Sequence, residues 1–186
     1  APNTVGFGHT PVLPAHGGYI PVALRGPMTH ALCLTVNGEA LEFSVEPHVT
    51  LLDLIRDHVE LTGCRRGCDS GYCGACTVLL NGKAVHSCSV LAVAADGAQV
   101  LTVEGLVRDG RLHPVQQAFI EHGAIQCGYC TPGMILSSVA LLKENPQPSE
   151  PEVRAYLSGN LCRCTGYVRI VQAVLAAAES MREERV

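Results

Sequence analysis

Apolar and polar positions alternate from the first regular stretch of the chain. Leu32, Leu34 and Val36 alternate with other residues, Asn37-Gly38 supplies a hairpin turn, and Leu41, Phe43 and Val45 alternate again. The period then changes. Thr50 followed by Asp53 reads as a helix start, and the run LLDLIRDHV continues it. Residues 77–80 and 84–90 predict a second strand pair around Asn81-Gly82, and 99–103 predict a last short strand. Two hairpins and one helix predict a small β-grasp sheet over residues 29–105.

From residue 106 to 186 the pattern is helical. Pro114 suits the first position of a helix reaching about His122. Thr131 is placed to cap a helix that begins at Pro132 and stops at Asn145-Pro146. Ser149 and Glu152 form a capping box for a helix ending near Gly159. Residues 167–181 predict a fourth helix, with Ile170, Val171, Val174 and Leu175 on its apolar face. Each half of this region reads helix, cysteine pair, helix, which suggests a four-helix bundle with pseudo-twofold symmetry. The predicted fold class is α+β, a β-grasp domain followed by a helical bundle.

Residues 1–28 hold five Pro and five Gly and show no apolar period. They read either as a disordered tail or as an arm lying on a partner subunit. Phe7, Val12, Leu13, Tyr19 and Ile20, apolar for a free tail, motivate the second reading. No basic segment leads an apolar one, so the stretch does not read as a signal peptide.

Hydrophobic residues make up 47% of the 186, enough for a core. The formal charge is −4 and no basic run stands out, which argues against nucleic acid as the main partner. No apolar stretch approaches the roughly 18–20 residues that span a bilayer. Cysteine changes the picture, with ten in the chain. Eight fall into two tight groups, which suggests metal rather than disulfides. Thiolate ligands imply assembly in a reducing compartment, hence a cytoplasmic location.

The first group is Cys68, Cys73 and Cys76, with Cys88 twelve residues later. The first three follow C-x4-C-x2-C, the plant-type [2Fe–2S] spacing. Such a cluster is anionic, so its loop must wrap closely and aim backbone N–H groups at sulfur. Gly67, Gly71 and Gly74 permit that. Zinc also accepts four cysteines, but usually as two C-x2-4-C knuckles. The second group is Cys127 and Cys130, then Cys162 and Cys164, each pair just before a predicted helix. A helix N-terminus favours an anionic cluster. Spacing alone favours iron–sulfur here and leaves zinc open. Cys33 and Cys64 remain over. Cys33, on a strand whose leucines point the other way, is expected to be a packed thiol. Cys64, just before a run that is complete without it, is also expected to pack, with a role as alternative ligand the other reading.

The stretches GCDSGYCGACTV (67–78), QCGYCTPGM (126–134) and GNLCRCTGY (159–167) resemble the small iron–sulfur subunit of the molybdenum hydroxylases. That family includes xanthine oxidase, aldehyde oxidoreductase, carbon monoxide dehydrogenase and 4-hydroxybenzoyl-CoA reductase. The resemblance covers about residues 31–180. It implies a plant-type ferredoxin domain whose cluster, on Cys68, Cys73, Cys76 and Cys88, faces FAD in a medium subunit. It implies a second cluster on Cys127, Cys130, Cys162 and Cys164, beside a molybdopterin in a large subunit, with Gln126 and Cys164 contacting the pterin. The clusters would pass electrons singly between molybdenum and flavin within a hetero-oligomer that can itself dimerise. Two departures stand out. Most such subunits begin near Met28, and some periplasmic aldehyde oxidoreductases carry an export signal there, but no twin arginine is present, so a periplasmic location is the alternative if a signal was removed before Ala1. Tyr72 stands where an acidic residue or Gln is common, at a position that is not a ligand. The competing functions are a free-standing two-cluster ferredoxin and a zinc-stabilised interaction module. No G-x-G-x-x-G fingerprint appears, so catalysis is expected in partners.

Overall fold

A computed structural model describes residues 28–183. The extension expected over residues 1–28 therefore lies, except for Met28, outside the described residues.

The first half is a mixed sheet built from two hairpins. Strand β1 (His30–Val36) pairs antiparallel with β2 (Glu39–Val45), in register from His30 opposite Val45 to Val36 opposite Glu39. Asn37 and Gly38 both have positive φ, 52° and 93°, as a tight hairpin turn demands. Strand β3 (Thr77–Leu80) pairs antiparallel with β4 (Lys83–His86) around Asn81-Gly82. Strand β5 (Gln99–Leu101) lies between the hairpins, parallel to β1 and antiparallel to β3, giving the order β2-β1-β5-β3-β4. Leu32, Leu34, Val36 and Val78 point to one core. Helix α1 (Leu51–Asp53) covers that core and continues as a π-helical stretch, Leu54–His58. Its start is the expected capping box. Thr50 Oγ1 accepts from the Asp53 N–H at 3.1 Å, and Asp53 accepts from the Thr50 N–H at 2.9 Å.

The second half is four helices, α2 (Pro114–Glu121), α3 (Thr131–Glu144), α4 (Glu150–Tyr156) and α5 (Val168–Glu183). Their apolar faces meet around Phe119, Met134, Leu136, Val153, Ile170 and Val174, all buried. Leu79 belongs to this core although it lies on β3, while its neighbour Val78 belongs to the other. Successive strand residues point to opposite faces, so β3 is clamped between the two cores. No helix among the described residues is long and apolar enough to cross a membrane.

Four expectations need correction. Cys33 is exposed, not packed. It lies on the face of β1 away from Leu32 and Leu34, opposite Glu42 and beside Asp96 in an open groove. The strand expected over 84–90 ends at His86, because Ser87 Oγ and N–H both donate to the Cys76 carbonyl and curl the chain into a 3-10 turn, Ser87–Ser89. The strand expected over 99–103 ends at Leu101, and Val103–Leu106 is a 3-10 turn. Helix α3 is capped at Cys130, with Thr131 already helical.

Candidate metal centres

The first cysteine loop runs from the end of the helical segment to β3. Arg56 anchors its approach, donating to the carbonyls of Thr62 at 3.2 Å and Cys64 at 2.6 Å. Within the loop, Asp69, Gly71 and Gly74 all have positive φ. This left-handed winding turns backbone N–H groups inward, making an anion-binding nest. Tyr72 and Cys73 N–H donate to Cys68 Sγ at 3.2 and 3.3 Å, and Gly71 N–H donates to Cys88 Sγ at 3.3 Å. His86 Nδ1 donates to the Gly71 carbonyl at 2.8 Å and holds the loop against β4. Gly67 serves differently: a side chain there would run into Cys73 Sγ. Hydrogen bonds from Ser70, Tyr72 and Cys73 lower the exposed Cys68 thiol to about 6. Burial pushes Cys76 the other way, to about 12, and it pairs with Cys88 by hydrogen bond.

The second group assembles from two chain segments. Cys127 and Cys130 precede and cap α3, while Cys162 and Cys164 lie in the turn before α5. Cys164 Sγ donates to Cys127 Sγ at 3.4 Å, and Cys130 and Cys162 hydrogen bond to each other. Tyr167, with φ of 68°, folds its hydroxyl back to accept from the Cys162 N–H at 2.8 Å. Thr165 contacts Cys162 Sγ through its hydroxyl at 3.1 Å and its N–H at 3.4 Å. Burial pushes Cys162 up, but the Thr165 hydrogen bonds outweigh it and leave the thiol below its ordinary value. The Tyr129 N–H and the Cys164 thiol lower Cys127, and burial pushes Cys130 up to about 12. Gln126 and Cys164 are both exposed beside Cys127.

The two groups meet. A cleft of about 310 Å3 is lined by Cys68 and Cys73 from the first and by all four cysteines of the second. Three residues between or beside the cysteines hold its walls. Leu161 N–H donates to the Cys73 carbonyl at 2.9 Å. Tyr129 hydroxyl donates to the Arg66 carbonyl at 2.5 Å, and Arg66 is fixed by ion pairs to Asp53 and to Asp69, the latter at 3.0 Å. Buried Asn160 donates to the Gly74 carbonyl at 3.1 Å and to Thr77 Oγ1 at 3.2 Å, and accepts from Ser137 at 2.8 Å. Sequence reasoning missed Asn160, Tyr129, Ser87 and Tyr167 as supports. Their only sequence signal is a polar group inside or beside a cysteine motif.

The donor chemistry fits iron–sulfur. The thiols associate in pairs, Cys127 with Cys164 and Cys130 with Cys162, as a two-iron core with two thiolates per iron requires. Amide N–H groups aimed at sulfur favour an anionic cluster. Cys64 is buried and outside both groups, as expected, and burial pushes its thiol up to about 11.

A β-rich ferredoxin half and a helical half, each presenting four thiols, define an iron–sulfur electron-transfer protein. Residues 34–102 match the family model for a 2Fe-2S iron-sulfur cluster binding domain, and residues 102–175 match that for a [2Fe-2S] binding domain. The nicotinate dehydrogenase small FeS subunit of Eubacterium barkeri is 51% identical over 146 residues, 78% of this chain and 93% of that protein. The aldehyde oxidoreductase iron-sulfur-binding subunit PaoA of Escherichia coli is 43% identical, over 88% of this chain and 78% of that one. The crystal structure of quinoline 2-oxidoreductase from Pseudomonas putida superposes with a TM-score of 0.80 at 46% identity, covering 85% of this chain and 99% of the matched chain. In the aldehyde oxidoreductase of Desulfovibrio desulfuricans the same unit, at TM-score 0.79 and 46% identity, is 17% of one longer chain. The chain belongs to the small [2Fe–2S] subunits of the molybdenum hydroxylases.

Proposed function

We propose that this subunit relays single electrons between a molybdopterin centre in a large subunit and FAD in a medium subunit. The observation that carries the reading is the shared cleft, which cysteines of both groups line. Cys68, Cys73, Cys76 and Cys88 would hold the first cluster, toward the flavin. Cys127, Cys130, Cys162 and Cys164 would hold the second, beside the molybdopterin, with Gln126 and Cys164 as its pterin contacts. Each cluster supplies one-electron redox chemistry when bound. The chain's own residues hold and orient it. Backbone N–H groups face its sulfurs, Arg56 and His86 fix the first loop, Tyr167 and Thr165 fix the second, and the two cores keep water from one side of each. We take 29–105 and 106–186 as the two functional units, and assembly as cytoplasmic, where thiols stay reduced.

The names of the relatives support this reading, since the nicotinate dehydrogenase and PaoA matches are named as iron–sulfur subunits and a chain of quinoline 2-oxidoreductase matches over nearly its whole length. The test is metal and cofactor analysis of the intact native complex. About four iron and four sulfide per small subunit are expected, together with molybdenum and flavin. Cys127→Ser should remove one of two EPR signals and stop electron flow from molybdenum. A redox-competent monomer free of molybdenum would instead establish a free-standing carrier.

A further inference from the structure

Behind the first cysteine group lies a buried polar pair that belongs to no cluster ligand set. Cys64 is 2% exposed and Ser87 is fully buried. Neither belongs to either group of four. Both converge on one atom, the carbonyl oxygen of Cys76. The Ser87 hydroxyl donates to it at 2.8 Å, the Ser87 N–H at 3.3 Å, and the Cys64 thiol at 3.3 Å. The thiol also lies 3.2 Å from Ser87 Oγ. A carbonyl oxygen has two lone pairs, so three donors are more than it needs for satisfaction. Cys64 is fixed in place for this. Its own carbonyl accepts from Arg56 at 2.6 Å, and the preceding Gly63 N–H donates to Glu104 at 2.7 Å.

The geometry points to Cys64 and Ser87 as positioning residues that raise the reduction potential of the first cluster through the Cys76 backbone. The effect is electrostatic. The positive ends of the S–H, O–H and N–H dipoles all face the peptide of a residue whose sulfur would bind iron. The reduced cluster carries one more negative charge than the oxidised one. Dipoles oriented this way favour the reduced form, and they act at close range inside a core where screening is weak. Cluster potentials respond to hydrogen bonding and burial of this kind. A neutral thiol suits the place because it donates without adding charge. Among the described residues, no buried thiol or hydroxyl donates to the carbonyl of Cys127, Cys130, Cys162 or Cys164: the buried Ser137 and Ser138 donate to Asn160 Oδ1 and to the Met134 carbonyl. The effect is therefore specific to one cluster.

This inference rests on Cys76 being a ligand of the first cluster. The test is an EPR-monitored redox titration of the native complex carrying Cys64→Ala, Cys64→Ser or Ser87→Ala, with Cys76→Ser in parallel. Cys64→Ala should shift the midpoint of the first cluster to lower potential and leave the second unmoved. Cys64→Ser keeps a donor and should hold the first potential at or above that of the parent. A Cys64→Ala complex titrating like the parent overturns the inference. So do alanine and serine variants with equally lowered potentials, since packing alone would then explain the loss. If the alanine variant does not retain its first cluster, Ser87→Ala decides: a lowered potential supports the inference and an unmoved one overturns it. Cys76→Ser separates ligation by Cys76 from tuning by Cys64. If it leaves both EPR signals intact, the ligand reading fails and the inference falls with it. If it perturbs one signal while Cys64→Ala moves no potential, the ligand reading stands and this inference alone falls.

Discussion

Asn160 is the residue on which the relation between the two cysteine groups turns. It is 4% exposed, and its amide is used on both sides, donating to Gly74 and Thr77 of the first loop and accepting from Ser137 of α3. The loop comes so close that neither Gly74 nor Gly133 has room for a side chain. Gly74 also has a φ of 68°, which an L side chain tolerates poorly. Asn160→Ala leaves the Ser137 hydroxyl and the Thr77 hydroxyl without this partner inside a closed seam. A buried group left unsatisfied costs about 1–3 kcal/mol. The expected outcome is a loss of that size in denaturant unfolding of the cluster-loaded chain. Asn160→Asp keeps the acceptor for Ser137 but sets a carboxylate oxygen against the Gly74 carbonyl, so it should be at least as damaging. Unchanged midpoints in both variants would contradict the role.

At the scale of elements, the capping box at α1 ties the first half's helix to its cysteine loop. Thr50 and Asp53 satisfy each other's backbone N–H groups, and Asp53 also takes an ion pair from Arg66, two residues before Cys68. Burial pushes the Asp53 carboxyl up, but hydrogen bonds from Thr50 and Arg66 outweigh it and hold it below its ordinary value. Thr50→Ala should cost about 1 kcal/mol, as loss of a helix cap does. The sign with pH follows from the lowered carboxyl. Its contribution is fully present above the unfolded value of about 3.9 and is lost as pH falls through the lower native value. The Thr50→Ala deficit should hold across neutral pH in denaturant titrations and shrink only in that acid window. This box, the Asn37-Gly38 and Asn81-Gly82 turns, the four helices and the eight clustered cysteines were legible because each depends on local chemistry and short spacing. Other features depend on what arrives from elsewhere. Alternation placed Cys33 opposite Leu32 and Leu34 correctly, but it cannot say that the opposite face is left uncovered. The run to Val90 kept a strand-like composition, and only the Cys76 carbonyl, eleven residues back, makes Ser87 turn. The π-helical widening over Leu54–His58 has no signature in the apolar pattern.

In the whole molecule the two halves are not separable. Residues 77–80 read from sequence as an ordinary strand, yet β3 is buried on both faces. Val78 belongs to the first core and Leu79, 4% exposed, to the helical one, while Leu101 and Val103 also pack against the helices. Leu106, just past the expected boundary, sits in the helical core as well. Cutting after residue 105 would strip this cover from β3. Exposing Leu79 alone forfeits about 1.5–3 kcal/mol, and the cut also removes Asn160 from Gly74 and Leu161 from Cys73. Domains of this size hold only about 5–15 kcal/mol in total, so losses at several points of one seam are decisive. A fragment of residues 28–105 should therefore aggregate or fail to retain its cluster, unlike a one-domain ferredoxin that folds alone. Size-exclusion chromatography with visible absorption checks this. A monomeric, coloured fragment with the first cluster's EPR signal unchanged would show that the seam serves assembly with partners rather than the fold itself.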